Sequence, residues 1–439
     1  MNKRLLFLFC LLGTLTFGQK TISGTFSPAK EYSWLIAYRL KPGSQAYVAD
    51  TAIENGKFTL DIPKSALPGT YRLVYAVPQD EFYFDVIYDG NENLEFDFKS
   101  DLGPLFSASK ENILFSTYFR EIHAAEQEII NFYTSGKGNR ATFKKLTKNL
   151  ATIQDSYETK SEGLLVSHFI KANHPYIPFE YESAEEYIQN KKTTYFTKLN
   201  FEDAVLQGTE FLKNKLLTFV FTALPAKELT DSETEMLIQD NIAIASKELQ
   251  ALTNDYQFYL FHSLWEYASA SKMNKTADFI YTDFLKKESL SQENLEKLNQ
   301  VEINNRLRIG TVPPEIEWKS NDGQKKLTTL EGAKNYILIF WSSTCSHCLK
   351  ELPALQKELK KIPDVKIIAI GLEEDDLNWK IESEKLNYFE HAIALGKWDS
   401  TYADLYNIHQ TPTYFILDEQ KKIITKPESD KEVVEFLKN

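Results

Sequence analysis

The chain has 439 residues, with 62 acidic side chains against 50 basic ones and a formal net charge of −12. That length is enough for two or three domains, each with its own core. The acidic balance argues against nucleic acid or an anionic membrane surface as the main partner, and the make-up, 43% hydrophobic and 26% charged, is that of an ordinary globular protein.

The chain begins MNKRLLFLFCLLGTLTFGQK. Lys3 and Arg4 precede an apolar run from Leu5 to Leu12, and Thr16 and Gly18 are small residues ahead of Gln19. This is the layout of a secretory signal peptide. Residues 1–18 are therefore expected to be removed and the mature chain exported to the periplasm or cell envelope. The run is short of the roughly 20 residues that a bilayer span needs. No other stretch is apolar enough, so the mature chain is expected to have no transmembrane span. Of three cysteines, Cys10 leaves with the peptide, and Cys345 and Cys348 remain. So short a loop constrains the unfolded chain little, and the pair is expected to do chemistry rather than staple the fold.

Residues 19–105 read as short β-rich segments parted by turns, among them WLIAYRL, KFTLDI and LEFDF. Asn55-Gly56, between AYVADTAI and KFTLDI, is the strongest hairpin signal. The pattern predicts an antiparallel β-sandwich of about 80 residues. Residues 106–310 change to helical spacing, as in ENILFSTYFREIHAAEQEIINFY, and predict an all-α middle region. His123, His168, His174 and His262 lie there without metal-ligand spacing, so no metal site and no cofactor are expected. After Thr311-Val312-Pro313-Pro314, residues 311–439 alternate helices with buried strands and end in a hairpin, an α/β layer fold. Glu373 to Asp376 reads as an acidic loop in this part.

The most informative stretch is YILIFWSSTCSHCLKELPAL, Tyr336 to Leu355. A β-branched strand, a short turn and a C-x-x-C opening a helix form the signature of a thioredoxin-like redox site. Only a thiolate attacks a disulfide, and a helix N-terminus stabilises one through free N–H groups and the helix dipole. Cys345 is the candidate nucleophile, aided by His347, and Cys348 the candidate resolving thiol. Trp341 forms an aromatic shoulder and, with Thr411 and Pro412, is a candidate substrate-binding residue. Pro412, in Thr411-Pro412-Thr413 before the strand TYFILD, is a candidate cis proline, with the Thr411 backbone free to pair with an incoming chain. Glu351 lies one turn beyond Cys348. If buried, its carboxyl would have a raised pKa and could carry the proton that Cys348 exchanges.

Phe340-Trp341, the C-x-x-C, Glu351-Leu352-Pro353 and Thr411-Pro412-Thr413 before Phe415-Ile416-Leu417-Asp418 together resemble the exported TlpA/ResA-type thioredoxin-like oxidoreductases, over Val312 to Asn439. The resemblance implies thiol–disulfide exchange, with Glu351 as the carboxyl near the dithiol. Ile339 stands where thioredoxin proper keeps an acidic residue. The expected partners are envelope proteins bearing disulfides or thiols, and a membrane or periplasmic thiol donor or acceptor. Ser346-His347 is not the proline-containing dipeptide common among the reductases. A histidine there resembles the oxidising DsbA-like proteins and isomerases, which leaves the direction of electron flow open. Two other readings are a thiol peroxidase, whose proline three residues before Thr344 this chain replaces with Trp341, and a binding or scaffold protein with an accessory thioredoxin domain.

Overall fold

The computed structural model describes residues 20–136, 139–320 and 323–438. Residues 1–18, read as a signal peptide, lie outside them. The chain divides into two compact units, Met1–Leu290 and Ser291–Asn439.

Among the described residues of the first unit eight strands precede the helices: β1 (Thr21–Ser27), β2 (Trp34–Lys41), β3 (Ser44–Ala52), β4 (Lys57–Asp61), β5 (Gly69–Val74), β6 (Tyr83–Tyr88), β7 (Leu94–Lys99) and β8 (Gly103–Ala108). They form two sheets, ordered β4-β1-β7-β8 and β3-β2-β5-β6. Inward residues of both sheets share one core, including Ile22, Phe58, Phe96 and Phe98 from one and Leu35, Tyr71, Leu73 and Val86 from the other. β4 shows the cause in five residues, burying Phe58 and Leu60 while its neighbours face water.

Two features differ from the expected antiparallel sandwich. β1 and β7 are parallel, because β1 is wedged between β4 and β7, strands far apart in sequence that reach it from opposite ends. The Asn55-Gly56 turn forms, with both residues at positive φ (52° and 76°) and a Glu54–Lys57 bridge. Yet β3 and β4 then enter different sheets. Turn chemistry decides four residues; burial on the two sheets decides the rest.

Among the described residues nine α-helices follow: α1 (Lys110–Ser135), α2 (Arg140–Lys160), α3 (Val166–Ala172), α4 (Ala184–Thr193), α5 (Ala204–Gln207), α6 (Phe211–Thr222), α7 (Asp231–Glu248), α8 (Asn254–Ala270) and α9 (Asn274–Ile280). Buried polar side chains tie them together. The Asn112 side chain at the start of α1 accepts from Ile87 N–H at 2.8 Å and donates to Ile87 C=O at 2.7 Å, binding α1 to β6. Glu111 accepts from the N–H groups of Leu165 and Val166, at 2.9 and 2.7 Å, and so caps α3 from a distance.

The second unit begins with α10 (Gln292–Leu307), ahead of the Thr311 boundary read from sequence, because Ile303 and Leu307 pack into this unit's core. Then come β9 (Glu317–Ser320), β10 (Gly323–Lys326), β11 (Asn335–Trp341), α11 (Ser346–Leu359), β12 (Val365–Glu373), α12 (Leu377–Lys385), β13 (Glu390–Leu395), α13 (Thr401–Leu405), β14 (Thr413–Leu417), β15 (Ile423–Thr425) and α14 (Asp430–Lys438). The main sheet runs β13-β12-β11-β14-β15, with β11, β12 and β13 parallel and β14 antiparallel to β11. β11 is central, and its two faces feed two cores. Ile337, Ile339 and Trp341 meet α11, α12 and α14, while Leu338 and Phe340 meet α10, α13 and β9. A strand covered on both sides needs an unbroken apolar run, which is why NYILIFW reads as it does. On β12, Gly371 makes room for Trp379, since a Cβ there would lie 2.4 Å from that ring.

Candidate active site

The site is built at the C-terminal ends of β11 and β12, the edge where open α/β sheets place their ligands. Beyond Trp341 the chain turns through Ser342, Ser343 and Thr344. Cys345 N–H donates to Ser342 C=O at 3.1 Å, and Thr344 N–H to Ser342 Oγ at 3.3 Å. Cys345 is the N-cap of α11, and its sulfur accepts from Cys348 N–H at 3.4 Å, the place that Ser or Asp fills in other helices. Its thiol also donates to the Thr411 carbonyl at 3.4 Å, and the Thr411–Pro412 peptide is cis.

Both cysteines are free thiols, Cys345 partly exposed and Cys348 buried. Burial works against the Cys345 anion, but the Cys348 thiol and N–H, the Thr411 side chain and the His347 N–H outweigh it and leave the thiol below its ordinary value. Cys348 goes the other way. Burial, with the Cys345 sulfur second, pushes it up to about 12. The arrangement offers one thiolate for attack and keeps the second sulfur protonated beside it.

Four expected features take a different form. His347 supports Cys345 with its backbone N–H, while its imidazole is 78% exposed and holds Nδ1 3.9 Å from Glu351 Oε1. A side chain leaving the first turn of an exposed helix face has no reason to fold back over the sulfur. Glu351 keeps 33% of its side chain in solvent, so the fold does not bury its carboxyl. Trp341 is fully buried among Ile337, Ile339 and Leu352. The alternation of a central strand points it into the core, away from any surface that a protein substrate would meet. The Thr411 carbonyl, finally, is engaged by the Cys345 thiol.

Two residues that sequence reasoning missed join the site. Glu373 is the last residue of β12, not part of a loop, and is 4% exposed. It accepts from Ser343 N–H at 2.5 Å, Ser343 Oγ at 3.0 Å and Ser342 Oγ at 3.3 Å. The signal was its position as the first acid after VKIIAIGL, at the end of a parallel strand. Tyr414, which follows Thr413 in β14, is 1% exposed and its hydroxyl has no hydrogen-bond partner among the described residues. Burial, then the charges of Glu351, Asp430 and the two cysteines, raise its pKa. Among the described residues, no group of three or more His, Cys, Asp or Glu is placed to hold a metal.

A five-stranded sheet with a dithiol opening the helix after its central strand defines a thioredoxin-like redox domain. Residues 309–426 match the model of the AhpC/TSA family. Thiol-disulfide oxidoreductase ResA of Bacillus cereus is 26% identical over 123 residues, 28% of this chain and 70% of the relative. Sporulation thiol-disulfide oxidoreductase A of Bacillus subtilis is 30% identical over 116 residues, 26% of this chain and 69% of the relative. A solved domain of a possible thiol-disulfide isomerase from Cytophaga hutchinsonii is 28% identical, with a TM-score of 0.27, covering 30% of this chain and 93% of that one. Through its second unit, the chain belongs to the thioredoxin-like thiol-disulfide oxidoreductases.

Proposed function

We propose that Cys345 and Cys348 exchange disulfides with envelope proteins outside the cytoplasm, delivered there by the segment 1–18. The observation that carries this reading is the unlike state of the two sulfurs, one partly exposed with a lowered pKa, the other buried with a raised one. In the reducing direction the Cys345 thiolate attacks a substrate disulfide, whose S–S bond breaks and whose leaving thiolate takes up a proton. Cys348 then gives up its proton and attacks Cys345 Sγ. The internal disulfide forms, the second substrate thiol leaves, and two electrons have passed to the substrate. Glu351 is the group nearest in role to a proton acceptor for Cys348, and the loop at Thr411 and Pro412 is the docking edge beside Cys345. A thiol donor in the membrane or periplasm returns the dithiol to its reduced state.

The reducing direction is favoured over a DsbA-like oxidant because the His347 imidazole is turned to Glu351 and not to the Cys345 sulfur. The test is trapping with Cys348→Ala. That variant should hold substrate proteins as mixed disulfides on Cys345, identified by mass spectrometry. No trapped protein, beside a wild type that reduces a model disulfide, would overturn the proposed role on protein substrates.

A further inference from the structure

We propose that Glu373 is a positioning residue for the resolving step: by gripping the Ser342–Ser343 turn, it holds Cys348 and Cys345 in the geometry from which Cys348 attacks. This rests on the dithiol-exchange reading above. The parallel register sets Trp341 level with Gly371, so two residues further on Ser343 and Glu373 lie side by side, beyond the last backbone pair of the two strands. The carboxyl spans the turn with three contacts, one to a backbone N–H and two to hydroxyls. Ser342 and Ser343 are themselves 3% and 6% exposed. Burying so many polar atoms costs free energy unless all are paired, and an apolar turn could close the same gap. The place of this cluster, immediately before the dithiol, is what gives it a use.

The turn touches the two cysteines differently. Cys345 draws its stabilising N–H groups from α11 itself, through His347 and Cys348, and those stay when the turn loosens. Cys348 is served by the turn, because the Ser342 N–H favours its anion, and the Ser342 carbonyl anchors the Cys345 backbone at 3.1 Å. Releasing the turn should therefore leave the first attack nearly intact and slow the second. In that second step Cys348 gives up its thiol proton to water, its sulfur bonds to Cys345 Sγ, the Cys345–substrate S–S bond breaks, and the departing thiolate takes up a proton from water.

Oxidised glutathione separates the two steps. The first is measured as glutathione addition to Cys345 in a Cys348→Ala background. The second is measured as the lifetime of the Cys345–glutathione disulfide in the protein with both cysteines, by acid quench and mass spectrometry. Glu373→Ala should lengthen that lifetime about tenfold, the scale of one lost hydrogen bond, and change the first rate less than about threefold. Glu373→Gln, which keeps an oxygen for the Ser343 N–H, should fall between. A lifetime within about twofold of the wild type, or both steps slowed by one common factor as for a purely structural residue, would overturn the proposal. Should Glu373→Ala fail to fold, Ser343→Ala must lengthen the lifetime in the same sense, or the idea fails. A wild type that does not react with glutathione disulfide would sink the exchange reading itself. An active wild type with an unaltered Glu373→Ala sinks this inference alone.

Discussion

The His347 imidazole and the Glu351 carboxyl face each other across one turn of α11, Nδ1 to Oε1 at 3.9 Å, with 78% of the histidine side chain in solvent. An exposed i,i+4 pair of this kind contributes only about 0.3–0.5 kcal/mol. His347→Gln should then move the potential of the Cys345–Cys348 couple by no more than about 10 mV, on a scale where 30 mV is about 1.4 kcal/mol. The wild-type potential, titrated against glutathione, should lie nearer the roughly −270 mV of thioredoxin than the roughly −120 mV of DsbA. A shift of several tens of millivolts would place the imidazole at the sulfur after all.

The two sulfurs predict a simple pH dependence. A thiol with a lowered pKa is deprotonated at lower pH, so alkylation of Cys345 by iodoacetamide should rise with pH and reach its midpoint below that of a free cysteine. Cys348, pushed up to about 12, should stay unmodified through that range in the native protein. Peptide mapping after timed alkylation distinguishes the two sites, and equal labelling at pH 8 would contradict the assignment.

Glu351 is one-third exposed, so water can share whatever proton transfer it performs. Glu351→Gln should slow disulfide exchange by less than about tenfold at neutral pH, well under the roughly 10²–10⁴-fold typical of a positioned general acid–base. Stopped-flow reduction of a model disulfide measures this directly. A hundredfold loss would show that the carboxyl is enclosed when substrate is bound.

Tyr414 carries a buried hydroxyl without a partner among the described residues. Tyr414→Phe removes an unmet desolvation cost and should leave stability unchanged or raise it by about 1 kcal/mol. Urea unfolding of the full chain reads this out. A loss of similar size would mean that the hydroxyl does have a partner in solution.

How much of this was legible in the residues depended on range. β11 announced itself because six consecutive apolar or aromatic residues, Tyr336 to Trp341, fit a strand buried on both faces. The dithiol on a helix N-terminus followed from a strand and a short turn before the C-x-x-C and helical spacing after it. The cis peptide before Thr413 also stands where the motif put it. What depended on three-dimensional neighbours was less visible. Nothing local says that Trp341 points inward, that His347 turns to Glu351, or that Glu373 meets two serines 30 residues away. The Asn55-Gly56 turn is the same lesson in the first unit, a correct local feature whose flanking strands part company. Even the end of the helical region moved, because Ile303 and Leu307 answer to a core that lies after them in sequence.

The double hydrogen bond between Asn112 and Ile87 decides where the protein can be cut. It stitches the first helix to a strand edge much as another strand would, so the strand-rich and helical parts should melt as one cooperative block. Removing the helical part from the strand-rich part at Ser109 would take Asn112 away and orphan both backbone groups of Ile87. A break after Leu290 leaves that clasp closed.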